Sequence, residues 1–296
     1  MDQSPPADTL CHVISESGKF FGIACDTTAI VGEACRRHNT GPTAAAALGR
    51  ALTGAVLLAA LMKDGQSVLL RFEGNGALRK VVTEAGYDGW VRGYVAEPLA
   101  DVPLHNGQID VAAGIGRLGF LTVVKDIGLS NKYKGMIQLC SGEVGEDIAL
   151  YLSESEQIPS AVSLGVKFGA DGKVLAAGGF LIQSLPPADE SVIVELEKRM
   201  EMLSSVSTLL ASGKQPEEIL QALFVNIPHK TLASRSLSYQ CSCSRKKMES
   251  ALISLGRNDL RDLLKKEGSV QVNCEFCGDT YRFNEDELTE LIQHME

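Results

Sequence analysis

The chain has 296 residues, 45% of them hydrophobic, 22% charged and 5% aromatic, with 29 glycines against 10 prolines. That length suits about two domains with a proper hydrophobic core, and the composition excludes wholesale disorder, collagen and coiled coil. Lys and Arg number 28 against 37 Asp and Glu, and the resulting net charge of −9 disfavours nucleic acid and anionic lipid as partners.

The opening residues, MDQSPPADTLCHV, hold no basic segment followed by an apolar run, so no secretory signal is expected and a cytoplasmic, reducing location follows. The stretch from Thr43 to Met62, TAAAALGRALTGAVLLAALM, has the length of a membrane span. Arg50 sits near its centre and much of its apolarity is alanine, so it is read as a buried core helix and no membrane partner is expected. Up to about residue 183, short β-branched runs are broken by glycine: SVLLRF, WVRGYVAE, FLTVVKD, MIQLCSG, VSLGVKF and KVLAAGGFLIQ. These predict strands in antiparallel hairpins. Between them, Val144 to Gln157 spaces Val144, Ile148 and Leu152 for a half-buried helix. Residues 1–183 are therefore predicted as an α+β domain of antiparallel sheets with packed helices.

Pro186 and Pro187 stop the last strand, and Asp189 and Glu190 suit a helix start. Val192, Leu196, Met200, Leu203, Val206 and Leu210 then recur every three or four residues, which predicts one amphipathic helix from Asp189 to Ala211, ended near Gly213. A shorter helix, PEEILQALF, opens with Pro216 and closes before Ile227-Pro228. Residues 184–237 thus form a helical linker, ahead of a small C-terminal module at 238–296. The apolar stripe either packs permanently on a neighbour or docks reversibly, and periodicity alone favours the first. Met200 and Met202 fit an adaptable binding surface as well as plain core.

The module carries the strongest signal. Four of the eight cysteines lie in two tight pairs, Cys241-Ser-Cys243 and, thirty residues later, Cys274-Glu-Phe-Cys277-Gly278. In a reducing compartment paired cysteines indicate metal binding or redox chemistry before structural disulfides. Four thiolates satisfy the tetrahedral preference of zinc, and two intervening residues turn the chain so that both sulfurs face one point. Gly278 can supply the positive φ of that turn. The C-x-C half departs from the more common pair of C-x-x-C turns. One zinc ion is assigned to Cys241, Cys243, Cys274 and Cys277. A module this small relies on such a tie, since apparent metal binding of about 10–16 kcal/mol in small zinc domains is folding free energy. Arg245, Lys246 and Lys247 would favour thiolate at the first pair, or else are solvated helix charges.

The pattern C-x-C, a gap of thirty residues, then C-x-x-C resembles the redox-regulated 33-kilodalton heat-shock chaperone family. RFEGNGALRKVVTEA, WVRGYV, GFLTVVKDIG, YKGMIQLCSGEVGEDIALYLSESEQIPS, AAGGFLIQSLP and LSYQCSCSRKKMESALISLG resemble segments of that family in the same order, so the resemblance covers essentially the whole chain. It implies an ATP-independent holdase and not an enzyme. Reduced, such a protein holds zinc on the four cysteines and is inactive. Oxidised, it forms the disulfides Cys241–Cys243 and Cys274–Cys277, releases zinc, unfolds module and linker, and binds unfolding client proteins as a homodimer. Those disulfides would each close only a local ring, so the long-range tie would go and the module should lose its fold. A C-x-C disulfide is also short for the usual Cα separation, hence strained and easily reduced. Unfolding of the module would then free the stripe of Val192, Leu196, Met200, Leu203, Val206 and Leu210 for clients.

Two other classes compete. A zinc module gripping nucleic acid is opposed by eight basic against eleven acidic residues in 241–296. A thiol-disulfide oxidoreductase using Cys274 and Cys277 would place C-x-x-C at a helix start in a thioredoxin-like unit, whereas the glycine turn resembles a zinc knuckle. Gly114-Ile-Gly116-Arg-Leu-Gly119 matches a dinucleotide fingerprint, but a strand pattern follows it, so hairpin glycines are expected. Gly74-Asn-Gly76 has no downstream Lys-Ser/Thr and reads as a turn. Cys11, Cys25, Cys35 and Cys140 are expected to be buried singles; Cys35, beside Arg36, Arg37 and His38, alone has an activating neighbourhood. His12, His105, His229 and His294 show no metal spacing.

Overall fold

Alternating apolar residues make strands of the first segment, and a computed structural model describes residues 8–186 and 190–295. The chain divides into two units, 1–240 and 241–296. In the first, β1 (Thr9–Ser15) and β2 (Phe20–Asp26) form a hairpin followed by α1 (Thr28–His38) and α2 (Pro42–Ala59). Then come β3 (Ser67–Gly74), β4 (Lys80–Gly86), β5 (Trp90–Val95), α3 (Val111–Ile115), β6 (Gly119–Asp126), β7 (Tyr133–Gln138), α4 (Val144–Glu154), β8 (Ser160–Phe168) and β9 (Val174–Ser184). The α+β architecture with antiparallel sheets is as expected. α4 stops short of Gln157, which takes the left-handed conformation with φ 59°.

The segment 184–237 belongs to the first unit and is not wholly helical. α5 (Glu190–Met202), α6 (Val206–Ala211) and α7 (Pro216–Leu223) are followed by β10 (His229–Ser236) and the short β11 (Ser238–Tyr239). Of the predicted helix Asp189 to Ala211, Asp189 lies outside the described residues, as does Pro187, and the remainder is broken at Leu203–Ser205. Ser205 takes extended ψ, its carbonyl accepts from Thr208 N at 2.8 Å, and its hydroxyl meets Thr208 Oγ1 at 2.9 Å. Adjacent serines offer the backbone such alternatives to helix.

β10 joins β1, giving a five-stranded antiparallel sheet in the order β10-β1-β2-β9-β8. The second sheet has the order β11-β5-β4-β3-β6-β7, antiparallel except where β11 runs parallel to β5. α2 lies between the sheets, touching β2, β8 and β9 of one and β3, β4 and β5 of the other. It is long and apolar enough to cross a membrane, yet 89% of that window is buried inside the protein. It is a core helix: its alanines let both sheets close on it, and Arg50 escapes burial of an unpaired charge by bonding Glu143.

The Gly114–Gly119 segment runs from α3 into β6, helix before strand, the reverse of a dinucleotide-binding turn and not a hairpin. The glycines serve close packing instead. A Cβ on Gly119 would lie 1.9 Å from the carbonyl oxygen of Glu73 and 2.6 Å from Gly74 Cα, both rigid backbone. Gly119→Ala should therefore destabilise the reduced protein by about 3 kcal/mol or more in urea unfolding. An unchanged midpoint would show that this strand crossing is not close-packed.

Candidate metal centre

The second unit is built from α8 (Arg245–Ile253), α9 (Arg257–Glu267), the hairpin β12 (Val270–Asn273) and β13 (Thr280–Phe283), and α10 (Glu285–Gln293). Its core is small: Leu252, Leu260, Phe283, Leu288 and Ile292 are its buried hydrophobic cluster. Local chemistry delivers the sulfurs. Beyond β12, Cys274 N donates to Asp279 O at 2.9 Å, and Gly278 N donates to Cys274 O at 2.8 Å with Gly278 at φ 76°. Residue types with a Cβ rarely take that conformation. This knuckle turns Cys274 and Cys277 to one side. Cys241 and Cys243 come from the stretch just before α8, whose start is capped by Ser244 Oγ accepting from Lys247 N at 3.3 Å. Lys247 Nζ donates to Ser242 O at 2.7 Å and to Ser242 Oγ at 2.9 Å, which fixes the middle of the C-x-C segment.

The four Sγ atoms all lie within 4.8 Å of one another, the one cluster of at least three potential metal ligands among the described residues. Cys241 and Cys274 are 3.7 Å apart, and Cys243 and Cys277 3.4 Å. Four sulfurs at about 2.3 Å from a central ion would sit about 3.8 Å apart, so the donor set fits a tetrahedral thiophilic metal. Cys274 and Cys277 are buried and Cys241 and Cys243 half-buried. Burial pushes the Cys274 thiol up, and pushes Cys277 above the ordinary thiol range. A divalent cation held by these sulfurs would reverse that preference, because thiolate is the ligating form.

Two of the three basic residues beside the first pair, Arg245 and Lys247, are engaged elsewhere. Arg245 stacks 4.3 Å from the Phe283 ring centroid and bonds Glu287 at 2.5 Å, and Lys247 is on Ser242. Two further features were absent from the sequence reading. Each sulfur of one pair has a close neighbour in the other pair, and Tyr281 Oη donates to Cys243 Sγ at 3.2 Å. Tyr281 follows the knuckle by four residues, but hydrogen bonding to a sulfur thirty-eight residues earlier has no local signature.

The remaining cysteines are scattered through the first unit. Cys11 and Cys25 are buried and Cys35 half-buried, while Cys140 is exposed, contrary to expectation. Its thiol is oriented outside the core by donating to the buried Asp147 carboxylate at 3.1 Å. Cys35 is not activated: burial raises its thiol, and Arg36 and Arg37 bond Glu33 at 2.8 and 2.7 Å. His12 is buried and held neutral, its pKa lowered to about 4 by burial and by Arg235.

A family model described as Hsp33 protein matches residues 8–284. The chain belongs to the Hsp33 family. It is 55% identical over 289 residues to a 33 kDa chaperonin of Desulfotalea psychrophila, covering 98% of each chain. To a 33 kDa chaperonin of Geobacter sulfurreducens it is 48% identical, covering 98% of this chain and 96% of the relative. The crystal structure of a 33 kDa chaperonin from Thermotoga maritima superposes with a TM-score of 0.91 at 36% identity, covering 97% of this chain and 98% of that one. Hsp33 is a chaperone family and not a class of enzymes, so binding of client proteins is its business and no catalytic constellation is required.

For an Hsp33 chain the apolar stripe matters next. Val192, Leu196, Met200, Leu203, Val206 and Leu210 all join one cluster with the sheet residues Cys11, Val13, Phe20, Ala24, Phe180 and Ile182. Leu196, Val206 and Leu210 are buried there. α6 packs on β8 and β9, and α7 on β1 and β2. Arg199 ties α5 to α7 by donating to Leu223 O at 2.9 Å. The stripe is thus covered by the outer face of the five-stranded sheet in its own unit, and freeing it requires breaking that packing. A half-open groove of about 160 Å³ runs beside α5, between Ile193, Leu196 and Met200 and the sheet residues Phe20 and Ile182.

Proposed function

We propose that the chain is a redox-regulated, ATP-independent holdase that binds unfolding proteins under oxidative stress and protects them from aggregation. The observation that carries this is the meeting of four sulfurs from two segments thirty residues apart, in a unit whose core has five buried hydrophobic residues. Bound zinc, held by Cys241, Cys243, Cys274 and Cys277 in the reduced and inactive form, supplies the bonds that tie those segments together. A peroxide removes two electrons from two neighbouring thiolates, forming one sulfur–sulfur bond while its two oxygens leave as water. Pairing Cys241 with Cys243 and Cys274 with Cys277 spends all four ligands on local rings and releases the ion. The unit then has too little core to stay folded.

In this reading 1–183 is the scaffold, 184–237 the linker and 238–296 the switch. The stripe on α5 and α6 is the client surface, active protein is a homodimer, and its place is the cytoplasm. Nucleic acid is no partner, because the module carries more acid than base. The test is zinc content and suppression of citrate synthase aggregation, on reduced protein and on protein oxidised under mildly unfolding conditions. One zinc and no suppression when reduced, then no zinc and strong suppression when oxidised, is the expected result. Zinc retained after oxidation, or equal suppression in both states, would make the cysteines purely structural.

The 3.4 Å approach of Cys243 to Cys277 favours a second reading, in which oxidation of the folded unit joins the two pairs to each other and keeps the tie. Peptide mapping without reduction separates the two. Neighbour disulfides are expected; a Cys243–Cys277 bond in chaperone-active protein would overturn the unfolding mechanism.

A further inference from the structure

β13 pairs Tyr281 with Val272 of β12, so the hairpin that presents Cys274 and Cys277 also carries a phenol next to the other cysteine pair. The ring packs against the small core of the unit, and its hydroxyl lies 3.2 Å from Cys243 Sγ. The carboxylate of Asp279 stands 3.9 Å from the same sulfur. An O–H donor bonded to a sulfur withdraws electron density from it and lowers its nucleophilicity. Cys243 is half-exposed, unlike Cys274 and Cys277, and so is open to a small oxidant.

We propose that Tyr281 sets the threshold of the switch, its hydroxyl bonding Cys243 Sγ so that this sulfur resists peroxide and keeps its place in the metal centre. The inference rests on the redox reading above. The reaction it slows begins when the Cys243 sulfur attacks one oxygen of hydrogen peroxide. The O–O bond breaks, a sulfenic acid forms and hydroxide leaves, taking a proton from solvent to become water. A second thiolate then attacks the sulfenic sulfur, the disulfide forms, and the displaced hydroxide is protonated in turn. Two thiolates lose two electrons and one peroxide becomes two waters. Tyr281 touches none of the transferred atoms and acts as a positioning residue through the sulfur it bonds.

The test uses full-length, zinc-loaded, reduced Tyr281→Phe beside wild type. Zinc release into a chromogenic chelator is followed under a fixed excess of hydrogen peroxide, with early alkylation mapping of each cysteine by mass spectrometry. Loss of a hydrogen bond to a charged group predicts release about tenfold faster and earlier oxidation at Cys243. Phe keeps the ring, so zinc stoichiometry and thermal melting should stay at wild-type values; a role in packing alone would move the melting and leave the cobalt-loaded charge-transfer band where it is. Equal release rates, in a wild type that does lose zinc, would overturn the role of Tyr281 and leave the redox reading intact. Failure of both proteins to lose zinc would overturn the redox reading and this inference with it. Should the Phe variant load less than one zinc, 3-fluorotyrosine placed at 281 supplies a stronger donor and should slow release; an unchanged rate would again overturn the proposal.

Discussion

Stripping the metal from reduced protein with a strong chelator should unfold residues 241–296 while the first unit keeps its amide protection. Small zinc domains draw about 10–16 kcal/mol from the metal, as much as the entire stability of an ordinary domain. Here the alternative source of stability is five buried side chains and a two-stranded hairpin, which at 56 residues lies below the size at which one apolar core suffices. Four unligated thiols would be left close together, two of them buried and resistant to ionisation. Hydrogen exchange read by mass spectrometry gives the check. Amides of α8, α9 and α10 should reach full exchange after chelation, those of α2 and β9 should not change, and Cys274→Ser should behave like the chelated protein. Persistent protection of α8 to α10 without metal would show that the sulfurs are not what holds this unit, and the switch would have no lever.

Leu196→Asp should turn the reduced protein into a holdase without oxidant. Leu196 is 3% exposed in the middle of α5, packed among Phe20, Ile182 and Met200 at the groove beside that helix. Removing a buried leucine forfeits about 2–5 kcal/mol, and burying a carboxylate in its place adds a desolvation penalty of several more. The cheaper course for the chain is to release α5, because the loss is then limited to the docking energy of one helix bordered by an open groove. Val192 and Met200 would come free with it. Aggregation suppression in reduced variant protein should approach that of oxidised wild type, with new proteolytic cuts in 190–202. Leu203→Asp, at a partly buried position past the end of α5, should show the same change more weakly. Loss of client capture in both redox states would instead make α5 part of the binding surface itself; unchanged activity in both would remove the stripe from the mechanism.

Much of the scaffold was legible in local pattern. The runs that predicted strands became β3, β5, β6, β7, β8 and β9, because half-buried and fully buried strands must show period-two alternation or continuous apolar runs with turn residues between. β1, β2 and β4 were not singled out, and neither was α1. β10 was hidden for a different reason. It pairs with β1 at the sheet edge with most of its residues exposed, so His229–Ser236 carries no apolar alternation, and the adjoining helical pattern extended the reading of a helical linker over it. The single long helix expected across Leu203–Ser205 failed because periodicity of the leucines and valines continues through a break that the serines make with their own hydrogen bonds.

The four cysteines that could hold a metal ion were legible in sequence alone, since a knuckle is a local object: two residues between cysteines, a glycine able to take positive φ, and a second pair near enough in chain length to reach it. What the stripe does was open for the same reason in reverse. Periodicity tells that Leu196, Val206 and Leu210 share a face, but which surface covers that face depends on a sheet whose strands come from residues 9–26 and 160–184. Likewise, the bond from Tyr281 to Cys243 exists only once the hairpin is folded back on the first cysteine pair. Spacing along the chain decides which side chains can meet within a turn; contacts between segments remote in sequence are decided by the packing of the fold, and it is this packing that covers the stripe and brings Tyr281 to the Cys243 sulfur.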